Sequence, residues 1–174
     1  MNKFKLFLKK YPALAIVIGF QIFRLGLLPF MGLMPQDAYY YFYGENLSLS
    51  YFDHPGMIGY ILRGFIEVFG KSVFIIKFAD FFISSLTLLS FYKLSTYFLP
   101  KIKALTALVL ISSTLFASII SFNSTPDVPL LLFWTISIIC LYKAVFEQNK
   151  IYWIVAGILM GISFDSKYTA LFLQ

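Results

Sequence analysis

Two stretches, YPALAIVIGFQIFRLGLLPFMGLM near the start and ALTALVLISSTLFASIISF past the middle, are too long and too apolar for one face of a small soluble core. A bilayer interior of roughly 30 Å is crossed by about 20 apolar residues in helical form. The chain is 60% hydrophobic and 13% charged, whereas soluble domains are nearer half apolar and about a quarter charged. In lipid, a helix satisfies its own backbone hydrogen bonds. The expected fold is therefore all-α, a polytopic membrane helical bundle. Five spans are expected, at 11–34, 72–97, 102–122, 126–146 and 151–172. The whole of 1–174 reads as one unit, with 35–71 as its first outer loop. The basic start followed by an apolar run mimics a signal peptide, but no small-x-small cleavage pattern follows it, so it reads as an uncleaved first span.

The net charge of +6 does not call for nucleic acid, because the lysines sit at the ends of spans. Lys3, Lys5, Lys9, Lys10, Lys93, Lys101, Lys103, Lys143 and Lys150 share one side if the N-terminus is cytoplasmic. Only Arg63, Lys71 and Lys77 lie in or near the opposite segment. The positive-inside rule then orients a multi-pass protein of the inner (plasma) membrane, with its first loop facing the periplasm or exterior. A single cysteine, Cys140, excludes an internal disulfide and a zinc motif, and reads as a small packing residue.

The polar chemistry collects in PQDAYYYFYGENLSLSYFDHPGM, residues 35–57, which holds the single histidine and five tyrosines. Short interfacial helices are expected over 38–47 and 56–70, with Pro55 in the first turn of the second. Arg63 and Glu67 are spaced to pair, and Asp80 to pair with Lys77. Asp37 suits a helix N-cap, and Asp53–His54 suits a turn before a helix. Asp127 suits the positive end of the fourth span. Each acid has this plain structural reading. Topology nevertheless brings Asp37, Asp53, His54 and Asp127 to one side of the membrane. Tyr39, Tyr40, Tyr41 and Tyr43 fit an aromatic belt equally with a surface for sugars or lipid headgroups. Arg24 and Asp165 are charges in or near spans, where charge is costly. Lys167 rises ~25 Å beyond Lys150 to the same side as the acids. It is two residues from Asp165, hence off its face and free for another anion such as a phosphate.

The segment DAYYYFYGENLSLSYFDHPGMIGYILRGFIEVFGKSVFIIKFADFF resembles the first outer loop of glycosyltransferase family 39, the protein O-mannosyltransferase-like and aminoarabinose-transferase-like membrane enzymes. NSTPDVPLLLFWTISIICLYKA is similar to that family's second outer-loop motif, and GILMGISFDSKYTALFL to its glycine-rich span ending in Ser-Lys-Tyr. The resemblance implies a C-type glycosyltransferase fold and an inverting transfer of sugar. The partners it implies are a polyprenyl-phosphate sugar donor, a lipid, glycan or protein acceptor, and the membrane. Asp37 would deprotonate or orient the acceptor, and Asp127 would assist the acceptor or a metal. Asp53 and His54 would shape the donor pocket, and Lys167 would offset phosphate charge. No metal ligand set is assigned, and a divalent cation is the one cofactor these carboxylates would suit. Two positions depart from the family pattern: Gln36 stands where its acidic pair begins, and Gly56 replaces its second proline. Family chains are longer, so this one is expected to be their N-terminal part. A second reading keeps the loop as a headgroup-binding surface on a non-catalytic carrier or scaffold subunit.

The topology is testable by impermeant-thiol labelling of Ser50→Cys and Thr125→Cys in a Cys140→Ser background. Both positions should label from outside. Labelling of only one would separate the two loops and dissolve a shared site.

Overall fold

A computed structural model describes residues 9–173. Lys3 and Lys5 of the N-terminal basic cluster lie outside the described residues. The protein is an all-α membrane helical bundle. The helices bounded within the described residues are α1 (Pro12–Leu27), α2 (Pro35–Glu45), α3 (Met57–Phe69), α4 (Val73–Phe98), α5 (Lys101–Ser112), α6 (Leu115–Ile119), α7 (Asp127–Phe146) and α8 (Ile151–Ser166). Short 3-10 turns follow α1 and α8, at Leu28–Phe30 and Tyr168–Leu173. Among the described residues no strand forms; Ser50 and Pro55 make one isolated antiparallel bridge.

Among the described residues, three helices are long and apolar enough to cross a membrane: Pro12–Phe30, Val73–Phe98 and Asp127–Phe146. At 1.5 Å per residue, α4 alone is about 39 Å long. Its start is set by Ser72, whose side chain accepts the Ile75 N–H at 3.2 Å. The fifth expected span is the shorter α8, of 16 residues. The third differs most from expectation. Residues 102–122 do not form one continuous helix: α5 stops at Ser112, and α6 restarts after Thr114 caps the Ala117 N–H at 3.1 Å. The cause is local and tertiary together. The run Ser112-Ser113-Thr114 offers hydroxyls that compete with the helix backbone, and Arg24 of α1 donates to the Ser112 carbonyl at 2.5 Å. Arg24 also donates to Gln21 at 3.0 Å and to the Ser118 hydroxyl, so this buried cation holds the two halves of the break on α1.

Both loop helices form. Pro55 is not in the first turn of α3, which begins at Met57 after Gly56; it is held instead in the bridge with Ser50. Arg63 and Glu67 pair at 2.7 Å on the exposed face of α3. Gly70 ends that helix with φ of 88°, a conformation only glycine adopts freely. α2 and α3 are packed together and on α4 through Tyr40, Tyr43, Ile58, Leu62, Ile76 and Ala79. Their crossing point is Gly44 against Gly59. A methyl on Gly59 would stand 2.8 Å from the Tyr43 Cβ and 3.2 Å from the Gly44 nitrogen. α8 packs mainly on α7 and also reaches α3. Cys140 is buried, as a packing residue should be.

Gly59→Ala should therefore destabilise the protein by about 1–3 kcal/mol, the usual cost of overpacking. Gly64→Ala, on the same helix with nothing within 4 Å of the added methyl, should not. Thermal unfolding in one detergent checks the pair.

Candidate active site at the loop end of the bundle

Two tiers of polar residues meet at one end of the bundle. The inner tier centres on Asp37, which is fully buried. It is not an N-cap: Met34 holds that position, and Asp37 stands three residues on, where its carboxylate reaches back to the Met34 N–H at 2.7 Å. The same oxygen receives the ammonium of Lys77, itself fully buried. The other oxygen accepts the Ser124 N–H at 2.9 Å. Lys77 also donates to the Phe122 carbonyl at 2.6 Å. The expected Lys77–Asp80 pair does not form, because Lys77 is drawn to Asp37. Asp80 accepts the Ser124 hydroxyl at 2.6 Å, and its second oxygen is buried without a partner. Four segments of chain thus converge on one carboxylate: the turn before α2, α2 itself, α4, and the connection from α6 to α7.

The outer tier is reachable. Asp53 accepts the Tyr39 hydroxyl at 2.9 Å and a second, short bond from the Tyr43 hydroxyl. Burial alone would raise the Asp53 carboxyl, but the two phenols outweigh it and hold it below the ordinary carboxylate value. The same contact pushes the Tyr43 phenol far upward, first through burial and then through its hydrogen bonds with Asp53 and Tyr39. Tyr40 is raised by burial and by the charges of Asp53, Tyr39 and Asp127. Tyr40 therefore lies within electrostatic reach of both loops. Its ring centroid stands 6.1 Å from that of His54. Asp127 opens α7, and both its oxygens meet the Lys167 ammonium at 2.8 and 3.0 Å. Lys167 is accordingly not free, as expected from its offset to Asp165, but engaged by Asp127. This pair keeps 39% (Asp127) and 27% (Lys167) of its side-chain surface exposed, so an incoming group can reach it.

All seven residues singled out from sequence lie at this end. Tyr39, Tyr40, Asp53 and His54 form one group, Asp127 and Lys167 a second, and Asp37 lies beneath. Ser124 and Tyr168 were not singled out; Tyr43 was read only with its neighbouring tyrosines, and Lys77 only as a partner for Asp80. Lys77 carried a signal, since a lysine inside an apolar span demands a partner. Ser124 carried none, because it acts through its backbone N–H as much as its hydroxyl. Tyr168 meets the Ser50 hydroxyl at 2.7 Å and so ties the loop to the end of α8. Gln36, at the position that departs from the family pattern, is exposed and bonded to Asn123. Among the described residues, no three His, Cys, Asp or Glu side chains gather to hold a metal ion.

The family model described as dolichyl-phosphate-mannose-protein mannosyltransferase matches residues 53–174. A lipid A galacturonosyltransferase, RgtD, of Rhizobium johnstonii is 29% identical over 163 residues, covering 91% of this chain and 34% of the relative. The chain thus spans about a third of the length of that relative. No solved structure matches the chain.

Breaking the buried pair on one side should be costly. Lys77→Met leaves the Asp37 charge uncompensated and should lower stability by about 3–5 kcal/mol. The double variant Asp37→Leu with Lys77→Met should regain much of that loss. Thermal unfolding of the two variants decides it, and equal destabilisation by both would remove the pair from its structural role.

Proposed function

From the premise that this chain belongs to the dolichyl-phosphate-mannose-protein mannosyltransferase family, we propose that it moves a sugar from a polyprenyl-phosphate donor to a lipid-borne acceptor at the outer membrane face. The chain is a membrane glycosyltransferase by family; donor, acceptor and sidedness are the proposal. The lipid-borne acceptor is suggested by the relative named for lipid A.

The observation that carries the reading is the partly exposed Asp127–Lys167 pair beside the Asp53–Tyr39–Tyr43 group. A donor phosphate competes with Asp127 for the Lys167 ammonium. Lys167 then offsets charge on the departing phosphate. Asp127, released, accepts the proton of the acceptor hydroxyl as general base. The acceptor oxygen bonds to the anomeric carbon from the face opposite the phosphate. The carbon–phosphate-oxygen bond breaks, and the polyprenyl phosphate leaves with that electron pair. Tyr39, Tyr40, Asp53 and His54 line the approach and bind sugar hydroxyls and ring faces. Asp37, occupied on both oxygens, serves as a positioning residue. Through Lys77 and Ser124 it sets the loop that presents Asp127.

The test is a radiolabelled polyprenyl-phosphate sugar assay on the full-length protein. Asp127→Asn should reduce turnover by about 10²–10⁴-fold, the usual worth of a positioned general base, with unfolding temperature unchanged. Lys167→Gln should weaken donor use, raising KM more than it lowers kcat. Asp37→Asn should lose transfer together with thermal stability. Full activity in Asp127→Asn would overturn the assignment. Loss in Asp37→Asn without any loss of stability would move the base role to Asp37.

A further inference from the structure

The end of the bundle opposite the candidate site holds a second feature that the transfer reaction does not use. α1, α4 and α5 enclose a groove of about 260 Å³ there. Its floor is apolar, with Leu14 and Leu89, and its rim carries Lys10, Lys101 and Tyr92. Among the described residues neither lysine lies within ion-pair distance of a carboxylate. Lys101 is the first residue of α5 and Lys103 the third; that helix has no acidic residue in its first turn and no side-chain cap. Cations at a helix N-terminus oppose its dipole. The positive potential of the lysines and of the unpaired first N–H groups therefore adds at the mouth of the groove. A soluble anion would satisfy the charge but not the apolar floor. A phospholipid satisfies both, with phosphate at the lysines and the start of an acyl chain along Leu14 and Leu89.

We propose that the groove between α1, α4 and α5 is a binding site for the headgroup of an anionic membrane phospholipid, held by Lys10 and Lys101. The occupant follows from charge complementarity and from the position of the groove at the ends of the membrane helices. Uncapped α5 and the lysine pair give it a preference for phosphate without a compensating cation, such as phosphatidylglycerol, over zwitterionic phosphatidylcholine.

Native mass spectrometry of the full-length protein, released from mixed dioleoyl-phosphatidylglycerol and dioleoyl-phosphatidylcholine nanodiscs, reads this directly. The protein should retain phosphatidylglycerol in preference. Lys10→Gln with Lys101→Gln should cut that retention by roughly 25-fold, since each basic residue near an anionic surface contributes a factor of about five. Lys10→Arg with Lys101→Arg should keep it. Lys93→Gln with Lys143→Gln, which removes the same charge at the same end but outside the groove, should leave it unchanged. Equal retention of both lipids would overturn the proposal. So would an equal loss in the Lys93/Lys143 variant, which would mean diffuse attraction by the basic edge. Displacement of the lipid by glycerol phosphate alone would overturn the lipid assignment in favour of a soluble anion.

Discussion

The contact on which the loop end of this protein depends is the buried pair of the Lys77 ammonium and the Asp37 carboxylate. A lysine near the start of a membrane helix and an acid in the first turn of a loop helix are each expensive to bury alone. Together they neutralise each other, and the remaining lone pairs and protons are used by Met34, Ser124 and Phe122. Such a pair contributes little net stability against apolar replacements. What it contributes here is geometry. It ties α2 to α4 and draws in the connection before α7, whose next residues carry Asp127.

That geometry explains how two loops far apart in sequence make one site. Asp37 and Ser124 are joined directly, which holds the α2 helix against the connection that leads into α7. The tyrosines of α2 are then directed at Asp53 by the Gly44–Gly59 crossing, which brings α3 and its preceding loop alongside. Lys167 closes the arrangement from α8, and the Ser50–Tyr168 contact fixes the loop tip to the same end. An accessible ion pair above a buried one divides the work. The lower pair holds shape, and the upper pair can exchange partners when an anionic substrate arrives.

The opposite end follows different physics. Lysines gather there, with Glu147 as an acid near Lys143, and aromatic rings lie beneath three of them: Lys10 over Tyr11 at 5.2 Å, Lys93 over Tyr97 at 4.8 Å and Lys143 over Tyr152 at 4.6 Å. Cations and amphipathic rings at the ends of membrane helices suit an interface of phosphates and glycerol esters. The groove at Lys10 and Lys101 is set apart from this general edge by its apolar floor.

Much of this was legible in the residues. The apolar runs determined the membrane bundle, because hydrocarbon accepts few other ways of satisfying a backbone. The acid and tyrosine content of residues 35–57, and the spacing to Asp127 and Lys167, indicated which residues gather at one end. The partners of the charges were not legible. Lys77 has Asp80 three residues away on its own helix, yet its partner is Asp37, because that acid is held at the right depth by α2 packing on α4. Lys167 looked unpaired by local spacing, yet α7 and α8 lie side by side and bring Asp127 to it. The third span looked continuous, and the Arg24 side chain from another helix meets the carbonyl where it breaks. Local spacing decides which side chains share a face of a helix; only the tertiary structure decides which charge that face meets, because a buried charge pairs with whatever packing places within a few ångströms of it.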